Sequence, residues 1–273
     1  PAAAEAPAHG TEIGGGNMGF TFAESFLSAH IIRPNDLTIF DRNPQRTEML
    51  LRQLHANIET GAGEFISEVE LIVLAVKPQD SAQLYAEIKP YLQPQQLVLS
   101  IMAGVRMESI QAGLGLTKVV RAMPNLPAQV GMGMTAFTAS EAVTRHELIQ
   151  VQNLLSTTGR AIYFENEAMI DAATAVSGSG PAYIYYFMQS MMDAAQKMGF
   201  SESEADLLVW QTIQGATHLH NKSNLSCSEW IRRVASKGGT TEAALQVFET
   251  YHLSEGIQEG LMAAYRRAEE LGR

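Results

Sequence analysis

Residues 13–19, Ile-Gly-Gly-Gly-Asn-Met-Gly, run directly into a helix-like stretch from Phe20 to His30, and they restrict the fold more than any other part of the chain. Gly14, Gly16 and Gly19 stand at G-x-G-x-x-G spacing. In that pattern the first glycine permits a tight turn, the second lets the main chain approach a pyrophosphate, and the third lets helix and strand pack closely. The free N–H groups and the dipole at the helix N-terminus then face the phosphate charge. Three glycines in seven residues also make an ordinary flexible turn, so the flanking segments decide what the loop is for.

Those flanks alternate between strand and helix. Before the loop, Ala8 to Ile13 offers little apolar surface beyond Ile13. A first strand there is either short and partly polar, or belongs to an altered chain start. After the loop, Leu37–Phe40 reads as a strand ending at Asp41-Arg42-Asn43, and Pro44 opens a helix to about Leu54. Val69–Val76 is a nearly continuous apolar strand stopped by Lys77-Pro78. Further strands are expected at Leu97–Ile101 and Lys118–Met123, with outer strands at Met132–Phe137 and Arg160–Phe164 flanking a helix from about Glu141 to Thr157. Alternation of this kind predicts an α/β fold with an N-terminal Rossmann-type, doubly wound sheet. Ligands of such sheets collect at the carboxyl ends of the strands, which groups Asp41, Lys77, Ser100 to Gly104 and Met123 to Pro127 around one cleft. Asp41 is placed to bind an adenosine 2′-hydroxyl, whereas Arg42 beside it suits a 2′-phosphate, so NAD and NADP both remain open.

Composition narrows the partners. A net charge of −10 argues against nucleic acid and anionic membrane surfaces, both of which need a basic face. A small anionic cofactor held by local N–H groups is still allowed. The lone Cys227 forbids an intramolecular disulfide and fits a reducing, cytoplasmic setting, as a buried or incidental thiol. No apolar run approaches the roughly twenty residues of a membrane span. Residues 1–10, rich in Ala and Pro, read as a disordered leader or a cloning remnant. No histidine has partners at a metal-binding spacing, so no metal is expected.

From Asn166 onward strand signals vanish and helices are expected at about 166–176, 181–198, 202–221, 227–235, 240–250 and 253–271. This change of class divides the chain into a dinucleotide-binding domain, 11–165, and an all-helical C-terminal dimerisation and substrate domain, 166–273. The run from Pro181 to Met198 is apolar almost all round, and a short helical domain can scarcely bury it alone, which points to a subunit interface. Two segments carry more polar groups than a helix cap requires. One is Ser177-Gly178-Ser179-Gly180-Pro181. The other, Ser236-Lys237-Gly238-Gly239-Thr240-Thr241, puts N–H groups, hydroxyls and a lysine in one compact turn suited to a small carboxylate. A plain cap through Thr240 or Thr241 is the simpler reading of that turn.

Six stretches in order now resemble a known family: GGGNMG (14–19), AVKPQ (75–79), SIMAG (100–104), RAMPNLP (121–127), SGSGPAY (177–183) and SKGGTT (236–241). They are similar to Δ1-pyrroline-5-carboxylate reductases. The resemblance implies hydride transfer from NADPH, with NADH as the alternative, to the cyclic imine 1-pyrroline-5-carboxylate, giving L-proline. It implies a homodimer through the helical domain, with rings of dimers common among such enzymes. By position, Ile13, Gly14, Gly15, Gly16, Asn17 and Met18 would hold the pyrophosphate, and Asp41, Arg42 and Asn43 the adenosine ribose. Ala75, Val76, Lys77, Pro78, Ile101, Met102 and Ala103 would line the dinucleotide. Gly238, Gly239, Thr240 and Thr241, in a loop supplied from the partner subunit, and Ser177 would bind the substrate, with Thr241, Thr240 and Ser236 as catalytic residues and Thr241 nearest the ring nitrogen. The chain departs from the family at Lys237, where proline is commoner, and at Leu126, where threonine is commoner. Two rivals share the architecture. A 3-hydroxyacid dehydrogenase would carry a lysine in the first helix after the boundary, where Pro181 to Gln196 has none. A non-catalytic dinucleotide-binding regulator would have no use for the SKGGTT turn.

Overall fold

The computed structural model describes residues 10–272, with Thr11 to Ile13 described through the main chain alone. Residues 1–9, most of the expected leader, lie outside the described residues, and Gly10 already begins the first strand. The chain divides into two compact units, one running to Ser179 and taking in Ala264 onward, the other Gly180–Ala263.

The first unit is built on β1 (Gly10–Ile13), β2 (Leu37–Phe40), β3 (Asn57–Glu59), β4 (Leu71–Leu74), β5 (Leu97–Ser100), β6 (Val119–Met123), β7 (Gly133–Ala139) and β8 (Gly159–Tyr163). Their order across the sheet is β3-β2-β1-β4-β5-β6-β7-β8. The first six are parallel, β7 runs antiparallel to β6, and β8 is parallel to β7. Order 3-2-1-4-5-6 is that of the doubly wound dinucleotide-binding sheet, reversing direction between β1 and β4. The poorly apolar first strand is real and short: Gly10 pairs with both Leu37 and Leu71, and Ile13 with both Phe40 and Leu74.

Period-two alternation explains the helices on both faces. Leu71, Val73, Leu97 and Leu99 point into one core with Phe22 and Phe26 of α1 (Asn17–Ser28), Leu50 of α2 (Pro44–Gln53) and Val151 and Leu154 of α5 (Arg145–Leu155). Ile72, Leu74 and Val98 point into the other, with Leu84 and Ile88 of α3 (Ser81–Ile88) and Ile110 and Leu114 of α4 (Met107–Leu114). All four residues of β4 are buried, hence the continuous apolar run. Each such side chain contributes about 1.5–3 kcal/mol.

The sheet unit extends past the class change at residue 165. Arg121 of β6, its side chain 2% exposed, donates to Glu167 Oε1 at 3.0 Å and to Asp171 Oδ1 at 2.6 Å. Glu167 Oε1 also accepts from the Met107 N–H at 2.8 Å. This buried cluster fastens α6 (Ala168–Ala173) and the π-turn at 174–178 to the sheet. The expected border near Glu165 therefore marks the end of strand sequence, and the compact units part at Ser179.

The second unit holds α7 (Gly180–Lys197), α8 (Glu202–Asn221), α9 (Cys227–Val234), α10 (Thr240–Thr250) and most of α11 (Leu253–Leu271), whose last turns belong to the first unit. Among its described residues only Ala205 and Val209 are buried apolar side chains. Cys227 is exposed at the start of α9.

Candidate functional site

The glycine loop is shaped by contacts that only glycine tolerates. Gly14 has φ +108°, and a Cβ on it would lie 2.7 Å from the Ala75 carbonyl oxygen. The main chain thus crosses directly over the end of β4, and the Gly14 N–H donates to the Phe40 carbonyl at 2.8 Å. Helix α1 begins at Asn17 with Gly16 as its N-cap, no side chain capping it and no acidic residue in its first turn. Its opening N–H groups have no intrahelical acceptor, which is the condition for holding a phosphate.

Asp41 fastens this loop to the end of β2. Its Oδ2 accepts from the Gly15 N–H at 2.8 Å, and its Oδ1 accepts from the Asn43 N–H at 2.8 Å. Asn43 in turn caps α2, its side-chain oxygen accepting from the N–H groups of Gln45 and Arg46. Arg42 points to Glu87, forming a 3.0 Å ion pair. Arg46 reaches back toward the loop, its Nη1 3.8 Å from Asp41 Oδ2.

At the carboxyl ends of β1, β2, β4 and β5 lies a cleft of about 590 Å³, within the size range of cofactor sites. Of the residues assigned to the dinucleotide from sequence, Gly14, Gly16, Asn17, Met18, Asp41, Arg42, Ala75, Val76, Lys77, Pro78, Ile101, Met102 and Ala103 line it. Gly15 and Asn43 line an adjoining cleft of about 560 Å³ that shares Gly16, Asn17 and Arg46 with the first. Ile13 stands at the end of β1, where it is described through its main chain alone. A glycine cradle that a Cβ would fill, an uncapped helix N-terminus and flanking arginines fit a dinucleotide with its phosphates on α1.

The structure also revises the expected cleft. Ser100, Gly104 and Met123 to Pro127 are not among its lining residues. Asn125 is a strut instead: its Nδ2 donates to the Ser177 carbonyl at 3.0 Å, and its Oδ1 accepts from the Met134 N–H at 2.8 Å. Phe40, Arg46, Asp80 and Leu84 line the cleft without having been singled out from sequence. Arg46 had a signal, five residues past Asp41 in the first turn of a helix that begins at the strand end.

The remaining sequence candidates fall into two places. Ser177 sits in the π-turn of the first unit, its hydroxyl donating to the Ala173 carbonyl at 3.0 Å. The turn 236–241 belongs to the second unit. There the N-cap of α10 is Gly239, with no side-chain capping bond, so neither threonine is the cap. The Gly238 N–H donates to Glu242 Oε2 at 2.7 Å and the Gly239 N–H to the Ser236 carbonyl at 3.0 Å. Both glycine N–H groups are turned inward. The donors that α10 offers outward are the N–H groups of its first turn, beginning at Thr240 and Thr241, together with the two hydroxyls.

Residues 167–271 match the family model for pyrroline-5-carboxylate reductase dimerisation, and residues 12–104 match that for NADP oxidoreductase, coenzyme F420-dependent. The pyrroline-5-carboxylate reductase of Pseudomonas aeruginosa is 36% identical, the match covering 95% of each chain. A pyrroline-5-carboxylate reductase structure from Coxiella burnetii superposes with a TM-score of 0.89 at 31% identity, covering 97% of this chain and 99% of the other. The Plasmodium falciparum pyrroline carboxylate reductase with NADP bound gives 0.87 at 28% identity, covering 97% and 98%.

Proposed function

The chain belongs to the pyrroline-5-carboxylate reductase family, and from that premise we propose that it reduces 1-pyrroline-5-carboxylate to L-proline with NADPH, its two glycine turns dividing the work. The nicotinamide cofactor supplies the hydride. The glycine loop and the N-terminus of α1 bind its pyrophosphate, while Ala75 to Pro78 and Ile101 to Ala103 form the floor and wall of the cleft. NADH would fit the same floor, since the groups that separate the two cofactors lie only at the ribose end.

The substrate is an anion at its carboxylate and a cation at its protonated imine nitrogen. Attack of hydride on the iminium carbon discharges the nitrogen, so no strong general base is required, and the protein's part is orientation and exclusion of water. The turn at 236–241 suits the carboxylate through the N–H groups of Thr240 and Thr241, with Gly238 and Gly239 shaping the turn and Ser236 closing it. Lys237, exposed, adds a positive charge. The Thr241 hydroxyl holds the ring nitrogen, and Ser177 is a further polar contact for substrate. The observation that carries this assignment is that α10 begins at Thr240 with Gly239 as its N-cap and no side-chain cap, so neither threonine is used as the cap. We place the protein in the cytoplasm, consistent with a lone cysteine and with no described helix long and apolar enough to cross a membrane.

Thr241→Ala is the test. Loss of one oriented hydrogen bond to a charged group, about 1.5–3 kcal/mol, lowers kcat by roughly ten- to a hundredfold. The dissociation constant for NADPH should stay within about twofold by fluorescence titration. Equal losses in both quantities would show the turn to be wrongly assigned, and no turnover by the folded wild type with either cofactor would sink the reductase reading itself.

A further inference from the structure

At the ribose end of the cleft three charged side chains follow β2, and their pairings differ. Asp41 has both oxygens engaged by main-chain donors, Gly15 N–H on one and Asn43 N–H on the other, each at 2.8 Å. Its role is to tie the glycine loop to the strand end, and as an anion there it disfavours a phosphate. Arg42, the residue that sequence position nominates for a 2′-phosphate, is spent on Glu87 at 3.0 Å. Arg46 is different. Among the described residues it reaches no carboxylate closer than Asp41 at 3.8 Å, and it lines both clefts. A Cβ placed on Gly16 would come within 3.4 Å of Arg46 Nη1, so the guanidinium lies against the loop that receives the pyrophosphate.

We propose that Arg46, and not Arg42, selects NADPH over NADH by pairing with the 2′-phosphate. A planar guanidinium presents a fork of donors that matches phosphate oxygens in pairs, which a 2′-hydroxyl cannot use equally. The position also offsets Asp41: at 3.8 Å the guanidinium reduces the repulsion that the carboxylate would exert on the phosphate, and Arg46 still lines the cleft. The start of α2, two residues before Arg46, adds the positive end of a helix on the same side. This inference rests on the cofactor reading given above and narrows it to one residue.

The experiment is a set of binding titrations on the full chain, without substrate, using NADPH, NADH, 2′,5′-ADP and 5′-AMP. Arg46→Gln should weaken NADPH and 2′,5′-ADP by about tenfold or more, while NADH and 5′-AMP change by less than about twofold. Arg42→Gln is the control and should leave the NADPH-to-NADH ratio near its wild-type value. Losses by Arg46→Gln that are equal for NADPH and NADH would assign the guanidinium to the pyrophosphate and overturn the proposal. A ratio that moves with Arg42→Gln and not with Arg46→Gln would overturn it too. Wild-type protein that binds none of the four nucleotides would instead defeat the cofactor-site reading, an outcome distinct from either. A melting temperature for Arg46→Gln within a few degrees of wild type separates recognition from unfolding.

Discussion

Glycine 14 shows how closely a single residue can be constrained. Its φ of +108° is one that L side chains rarely adopt, and a Cβ would sit 2.7 Å from the Ala75 oxygen, a main-chain atom that cannot swing aside. Gly14→Ala should therefore push the loop off the end of β4. We expect NADPH affinity to fall by about tenfold or more, with the far-ultraviolet circular dichroism unchanged, because the local strain of roughly 1–3 kcal/mol is absorbed by the loop and not by the sheet. An unchanged dissociation constant would mean that the pyrophosphate lies elsewhere. At this scale the sequence was most readable where a residue type is required by sterics, as at Gly14. It was least readable where function depends on a long side chain's direction. Arg42 and Arg46 look alike in sequence, and only the neighbouring Glu87 distinguishes them, a contact between residues forty-five apart.

Elements were legible in proportion to the periodicity they carry. The buried strands β4 and β5 and the long helices α8, α10 and α11 stand within a residue or two of where apolar pattern and caps put them. The edge strand β3, three residues of which none is buried, has no pattern to read. Strand β1 is short and polar because it is defined by its partners on both sides, not by its own residues. The attachment of α6 was also hidden, since Arg121 reads as a polar interruption of a strand and its acceptors lie forty-six and fifty positions further on. That cluster makes a prediction at the level of the element. Asp171→Ala leaves a buried guanidinium with one of its two acceptors, at a cost of about 3–5 kcal/mol. The thermal midpoint should drop by roughly 10 °C, with α6 loosening first, as seen by hydrogen exchange of the amides around 168–178. A drop of less than about 2 °C would show that Glu167 alone satisfies Arg121.

At the scale of the whole molecule the second unit is the part that does not close on itself. Its long helix α7 has no buried residue, with Tyr185 at 56% and Tyr186 at 79% exposure. Ala205 and Val209 alone, among the described residues of 180–263, give it an apolar interior. A helical unit with so little core cannot offset its chain entropy, and an apolar surface of this extent behaves as half of a core completed by another copy. The match of residues 167–271 to the family's dimerisation model identifies that copy as a second chain of the same protein. The exposed face is then a folding requirement as much as an association site, and the two consequences can be measured together. Tyr186→Glu places a charge where the partner's apolar surface would cover it, and burying an unpaired carboxylate costs several kcal/mol. Sedimentation at micromolar concentration should show wild type as a dimer or a larger assembly, and the variant shifted toward monomer. The monomer that forms should lose helical signal at a lower temperature than wild type, while NADPH binding at the glycine cleft of the first unit changes by less than about threefold. A variant that sediments and melts like wild type would place the contact on another helix. A variant that dissociates yet keeps its full helical stability would show that the helical unit stands alone, and that its exposed tyrosines serve association only.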